Sequence, residues 1–481
     1  MKRIIIFIFI IYIITSCTYD ADMGHLYKIE VNERNGFINE FGKEVIPAEY
    51  LYATDFEDGI ALVVTDTLFT NDYEEFRLKY NYINKRNKKI FTEDFTVKPG
   101  VTLFILQDDR EEVAKYISKY SFSCGLALNQ LQDTENLYGY IDINGNIVIP
   151  HQYSDGLPYS EDKTFVQQST NDMLENLINN QGSISLFEYD SKWKIIDKFN
   201  NNLTDYIFVD SPERPIIPYR NNRTIGFIVT DNGGELKCTA NLLDENANII
   251  KVIPSIGDEF SALMTSIGLE SLDNSWSIGL EFSLSDSVFV QYSGALSGFC
   301  MDSRFLNPFD GSEIPIYENL SHTQKTAIRS RSDFLCPTND GNHRIYISHS
   351  KEFSEGLIPC AYTNFNEDLG PIGASKWFYV NENKCIIGIE PNDIFQDALP
   401  FSSGLAAVKQ NGKWGYINKE FKTVIPYQYD IADSFNGNLA KVETRNGSLQ
   451  IVSYINKDGE VVWQDIAYSD PQMFSGKNYI F

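Results

Sequence analysis

Apolar and polar positions alternate along this chain in short blocks, and one block pattern returns many times. Its clearest instance runs from Gly404 to Phe435: an apolar run Leu405 to Val408, a polar break, Trp414-Gly415-Tyr416-Ile417, a second break opening at Asn418, and Thr423-Val424-Ile425 closed by Pro426. Apolar runs this short, bounded by Gly, Asn and Pro, predict β-strands. Each block therefore reads as three strands, through Leu405 to Val408, Trp414 to Ile417 and Thr423 to Ile425. Proline cannot donate to a ladder, so it marks a strand end or edge.

Aligned on Tyr416-Ile417-Asn418, the core tripeptide recurs at Phe37-Ile38-Asn39, Tyr82-Ile83-Asn84, Tyr140-Ile141-Asp142, Ile195-Ile196-Asp197, Leu242-Leu243-Asp244, Tyr379-Val380-Asn381 and Tyr454-Ile455-Asn456. The third residue is always Asn or Asp, whose side chain bonds the backbone two residues on and opens a turn. Three residues later stand Gly42, Asn87, Gly145, Asn200 and Gly459, which tolerate positive φ, whereas Ala247, Lys384 and Phe421 do not favour it. The five suit a hairpin loop with a left-handed residue near its end. The core aromatic suits a half-buried pleated face. Gly415 predicts close approach of a neighbouring backbone or ring.

Tyr379, Tyr416 and Tyr454 lie 37 and 38 residues apart, while the upstream intervals are 45, 58, 55 and 47. Insertions in a repeat protein map to loops. The 137 residues from Leu242 to Tyr379 leave room for about two more copies, with remnants at Gly298-Phe299 through Ile316 and at Arg344 to Ile347.

Gly412-Lys413-Trp414-Gly415-Tyr416-Ile417-Asn418, followed by Val424-Ile425-Pro426 and Tyr429, resembles the WG (KWG) repeat of bacterial proteins. Glu44-Val45-Ile46-Pro47 with Tyr50, and Gly139-Tyr140-Ile141-Asp142 with Ile149-Pro150 and Tyr153, are partial copies. Lys376-Trp377 and Lys192-Trp193 keep the Trp but replace its glycine with Phe378 and Lys194. The resemblance implies a repeat core, here Tyr82, Tyr140, Tyr379, Trp414, Gly415, Tyr416 and Tyr454, and brings no catalytic residue or ligand with it.

At the N-terminus Lys2-Arg3 precede an unbroken apolar run from Ile4 to Ile14, the layout of a signal peptide and too short to span a bilayer. Ile14-Thr15-Ser16-Cys17 resembles the lipobox of bacterial lipoproteins, which implies lipidation of Cys17 after removal of residues 1–16 and a polar tether over 17–24. The rest divides into N-terminal repeats (25–160), diverged repeats with insertions (161–350), and C-terminal repeats with a cap (351–481). Asp465 to Phe481, which loses the pattern after Trp463, is the expected cap.

Charge narrows the partners. The formal charge of −26 becomes −28 once Lys2 and Arg3 leave, and such a surface repels nucleic acid and anionic lipid headgroups, so membrane contact is expected through the lipid on Cys17 alone. Of the cysteines beyond Cys17, only Cys360 and Cys385 fall in one repeat on strands that can be neighbours. No CxxC spacing supports zinc. His343 and His349 flank a strand too far apart to share a metal, and a surface role suits them and His25, His151 and His322. Asp142-Ile143-Asn144-Gly145-Asn146 begins like a calcium loop, but its twelfth position is Tyr153, so it reads as a hairpin turn. No metal, cofactor or catalytic residue is assigned.

Two helices are expected as insertions decorating the array: one over Val113 to Tyr120, opened by Asp108 and Glu111 as a capping box, and one over Ser169 to Asn180. The fold class is all-β, three-stranded antiparallel units stacked into an elongated twisted array, with a closed β-propeller as the alternative. The expected function is a non-catalytic, lipid-anchored envelope protein binding a protein or glycan. The alternative is an exported, glycan-directed hydrolase with its site in the diverged middle, Asp258 to Cys336. Trp276, Trp377, Trp414 and Trp463 are candidate sugar platforms, with Trp414 expected to be buried packing.

Overall fold

A computed structural model describes residues 24–69, 76–98, 110–130, 137–168, 192–209, 216–220, 222–231, 236–253, 279–284, 290–296, 299–306, 313–314, 354–366, 370–381, 386–387, 395–447 and 449–468. Two compact units divide the chain, Met1–Asn171 with Lys194–Leu203, and Asp172–Trp193 with Thr204–Phe481. Among the described residues the secondary structure is antiparallel strand throughout, except for the α-helix Arg110–Ser118.

In the second unit the best repeat is a meander of Asp397–Ala398, Leu405–Gln410, Lys413–Asn418 and Thr423–Tyr429, each strand paired with the next. Ile431–Ala432, Ala440–Asn446, Leu449–Ile455 and Val461–Tyr468 repeat it. Leu405, Ala407, Trp414 and Tyr416 face the following sheet, with Phe435, Ala440 and Val442 among their neighbours. Ala406, Val408 and Ile417 face the preceding one, against Tyr379, Phe395 and Phe401. A sheet covered on both faces explains why Leu405 to Val408 is apolar throughout instead of alternating.

The first unit builds on the same plan. Tyr27–Val31, Arg34–Ile38 and Glu44–Tyr50 form one sheet, and Leu126–Gln130, Tyr138–Asp142 and Ile147–Tyr153 another. Between them in sequence come Tyr52–Ala53, Ile60–Phe69, Phe76–Asn84 and Phe95–Val97. In the diverged interval of the second unit, Gly279–Leu284, Val290–Leu296, Phe299–Leu306 and Glu313–Ile314 make a four-stranded sheet, so the remnant at Phe299 is a strand. The Arg344 remnant and the Ser169 to Asn180 helix lie outside the described residues.

The tripeptide turns are as expected. Asn39 Oδ1 accepts from the amides of Phe41 and Lys43, each at 3.0 Å, and Asp142 Oδ1 accepts from those of Asn144 and Asn146 at 2.8 and 2.9 Å. Asn84, Asp197, Asp244, Asn418 and Asn456 repeat the pair of bonds. Asp142–Asn146 is thus a hairpin turn. Gly42, Asn87, Gly145, Asn200 and Gly459 have positive φ, and so do Ala247 at 62° and Phe421 at 59°. Two side-chain-capped amides and a closed ladder outweigh the preference of Ala and Phe for negative φ.

Four expectations need correction. Three of the sheets are three-stranded as expected, but others gain a two-residue strand ahead of the first long one, such as Asp397–Ala398 or Tyr52–Ala53, too short to leave a periodic signal. Proline marks an edge as expected but does not end its strand: Thr423–Tyr429, the sheet's edge strand, runs through Pro426, which sits in a bulge where its missing donor breaks no ladder bond. The helix Arg110–Ser118 is no decoration, because Val113, Ile117 and Tyr120 are buried in the first unit's core. The pattern also does not stop after Trp463, since Val461–Tyr468 stays paired with Leu449–Ile455 as far as Tyr468 opposite Leu449.

Candidate functional site

The recurring residues of each repeat are joints. Tyr416 and Tyr379 are fully buried, not half-buried as expected, and each hydroxyl donates to a backbone carbonyl of the following repeat: Tyr416 to Asp433 at 2.9 Å and Tyr379 to Leu399 at 2.6 Å. Tyr140 donates to Leu157 at 2.8 Å and Tyr82 to Tyr120 at 2.6 Å in the same way. Burial pushes these phenols above their ordinary pKa, so they stay protonated donors.

An aromatic ring from the following repeat meets each tyrosine: Phe435 on Tyr416 at 4.9 Å, Phe401 on Tyr379 at 5.0 Å, Tyr159 on Tyr140 at 4.9 Å and Phe122 on Tyr82 at 4.8 Å. Phe56 meets Phe37 likewise at 4.8 Å. Tyr454 differs, being half-buried with its ring 6.0 Å from Trp463 of its own sheet.

Sequence reasoning missed these partner rings. The signal for them was present as Phe56-Glu57-Asp58-Gly59-Ile60, Phe122-Ser123-Cys124-Gly125-Leu126 and Phe401-Ser402-Ser403-Gly404-Leu405. Its third and fourth residues form two-residue hairpin turns with both φ positive, 51° and 79° at Asp58 and Gly59, 56° and 87° at Ser403 and Gly404.

The glycine of the WG pair has a reason of its own. A Cβ on Gly415 would stand 2.7 Å from the Ile425 carbonyl oxygen and 2.9 Å from the Tyr427 nitrogen; at Gly139 the nearest approach, to the Ile149 oxygen, is 2.4 Å. The bulge at each proline bends the last strand onto this glycine, so the Gly and the Ile-Pro belong together. In one of the copies lacking both, Asn81 replaces the glycine, and its buried amide donates to Phe91 O, Glu93 O and Asp94 Oδ1.

Trp377 and Trp414 are buried, and Trp463 is partly covered. Trp276 lies outside the described residues, as do Cys17 and the rest of 1–23, and Cys385, His322, His343 and His349. The Cys360–Cys385 pair therefore falls outside them, and Cys124 is a free thiol. His25 is exposed against Tyr27, and the His151 ring lies 2.8 Å from Asn129 Oδ1. Among the described residues no group of three or more His, Cys, Asp or Glu is placed to hold a metal ion.

In the first unit the loops of three successive sheets converge on an open cleft of about 490 Å³. Asp55, Phe56 and Glu57 form one wall, Ser118, Ser121 and Ser123 another, and no Lys or Arg is among the described residues that line it. Ser123 Oγ donates to Glu57 Oε1 at 3.2 Å. Partial burial raises the Glu57 carboxyl above its ordinary pKa; the bond from Ser123 opposes the shift and the charge of Asp58 adds to it.

No curated protein sequence matches the chain. Similar solved structures include TolB from Acinetobacter baumannii (9% identity, 82% of this chain and 77% of that one, TM-score 0.24) and apo AztD from Citrobacter koseri (11%, 82% and 98%, TM-score 0.28). The polysaccharide lyase Uly1 is another (8%, 89% and 91%, TM-score 0.29). The WG containing repeat matches at residues 36–66, 138–169, 377–414 and 414–447; the first, second and fourth hold a Gly-aromatic pair and an Ile-Pro, and the third keeps Trp377 and the buried Tyr379. In those four segments the chain carries WG repeats.

Proposed function

We propose that the chain is a non-catalytic binding protein of the bacterial envelope, anchored through a lipid on Cys17, that takes its ligand in the cleft of the first unit. The observation behind this reading is the convergence there of carboxyl and hydroxyl groups from two successive repeats, with Pro158 from a third, while the signature residues are engaged in holding repeats together. Carboxylates accept from sugar hydroxyls, serines both donate and accept, and Phe56 and Pro158 add apolar surface, which is the chemistry of a glycan site. A chain of formal charge −26 disfavours anionic ligands.

The test is a glycan array probed with the mature chain and with its Glu57→Gln and Ser123→Ala variants. Retention of a neutral glycan that both substitutions weaken supports the reading. Hydrolysis of that glycan, or retention indifferent to both substitutions, overturns it. The anchor is tested separately by incorporation of labelled palmitate, which Cys17→Ser abolishes if Cys17 carries the lipid.

A further inference from the structure

Four hairpin tips follow one another in the first unit, at 39–43, 84–88, 142–146 and 197–201. Each later tip is contacted from the repeat before it. Tyr50 Oη donates to Asn87 Oδ1 at 2.5 Å, the Phe91 ring lies 3.1 Å from where a Cβ of Gly145 would stand, and Tyr153 Oη donates to Asn200 Oδ1 at 2.6 Å. The tips therefore form one continuous row.

What they present is unlike the rest of a chain of charge −26. Phe41 and Phe199 are 77% and 85% exposed, and Ile143 is 46% exposed. The tips also carry Lys43, Lys85, Arg86, Lys88 and Lys198, the last paired with Asp162 at 2.6 Å. Their acids are Glu40 and the two turn-capping residues Asp142 and Asp197, whose carboxylates accept from their own turns. Lys85 Nζ donates to the Gly24 carbonyl at 2.5 Å, so the backbone at Gly24 lies against this same row.

We propose that this row is a lipid-facing edge, on which the first unit rests against an anionic leaflet with Phe41 and Phe199 inserted at headgroup depth. The inference rests on the anchored reading, because Cys17 is seven residues from Gly24, a reach of at most about 25 Å that keeps the row at the bilayer surface. Exposed aromatics flanked by Lys and Arg suit the interface, where the rings sit among headgroups and the cations meet anionic lipid. The acidic remainder of the surface is repelled by that leaflet, so the row is the side turned toward it.

The experiment reads the row apart from the acylation. The mature chain, with a hexahistidine segment in place of Cys17, is tethered to vesicles of neutral, anionic and nickel-chelating lipid that carry bromine in their acyl chains. Trp is introduced as Phe41→Trp, Phe199→Trp or, as the control, Leu68→Trp. Leu68 is 42% exposed and lies toward the other end of the strand pair that leads into the tip at 84–88. The expected result is quenching of the added emission at 41 and 199 by about half or more, reduced when the anionic lipid is left out, with the signal at 68 unchanged. Equal quenching at all three positions, or none at 41 and 199, overturns the lipid-facing edge. Quenching as expected in the tethered chain, with no palmitate taken up by the chain that keeps Cys17, overturns the anchor and leaves the edge standing.

Discussion

Gly415→Ala is the sharpest test of the repeat architecture. The added methyl would stand 2.7 Å from the Ile425 oxygen, 2.9 Å from the Tyr427 nitrogen and 3.0 Å from the Pro426 carbonyl carbon. All three are backbone atoms, so no side chain can swing aside. Ordinary contact needs roughly 3.4 Å, so the bulged strand must retreat by more than half an ångström, and Ile425 and Tyr429, both buried, move with it. Overpacking of this kind costs about 1–3 kcal/mol, and a rigid backbone neighbour places the change near the upper end.

Gly404→Ala is the comparison: nothing lies within 4 Å of its Cβ, but φ is +87°, so its cost is conformational, about 1–2 kcal/mol. The assay is native-state hydrogen exchange, which reads each sheet separately in a chain too long for a single unfolding transition. Gly415→Ala should speed exchange in Lys413–Asn418 and Thr423–Tyr429, whereas Gly404→Ala should act at the start of Leu405–Gln410. Unchanged protection in Thr423–Tyr429 of the Gly415→Ala chain would refute the account of why this glycine is there.

Tyr416→Phe removes a buried hydroxyl and leaves the Asp433 carbonyl without that donor; a loss of about 1 kcal/mol is expected, read as faster exchange in the two C-terminal sheets. For Asp94, burial pushes the carboxyl up, but hydrogen bonds from Lys89, Asn81 and Lys79 outweigh it and hold the pKa at about 2 against 3.8. A pKa depressed by folding means stability fully present above about pH 4 and lost as pH falls toward 2, worth about 2 kcal/mol at most, so Asp94→Asn should flatten the acid limb of an unfolding titration. Asn39→Ala removes the acceptor of two turn amides and should cost about 1–2 kcal/mol, measured as faster exchange at Phe41 and Lys43.

How much of the fold was legible follows from how local each cause is. The turn at Asn418 was readable because its side chain bonds its own backbone two and four residues on, and Gly415 because a glycine between two large aromatics leaves a gap on the pleated face that only a close neighbour fills. Ala247 and Phe421 were illegible because the ladder, not their intrinsic preference, sets their φ. Asp397–Ala398 is too short for any period to register. Phe401 and Phe435 stood in plain view as apolar residues before a turn, but their role is to cap a tyrosine about twenty residues upstream. The cleft has the same kind of cause, since Glu57 and Ser123 meet only through the packing of separate loops.

The tyrosine bonds all run one way, from a repeat to the one that follows it: Tyr140 reaches forward to Leu157, Tyr379 to Leu399 and Tyr416 to Asp433. During synthesis on the ribosome, each newly emerged sheet therefore waits with an unsatisfied phenol and an uncovered ring until its successor leaves the exit tunnel. Growth of the chain is in this sense a zipper with a built-in direction.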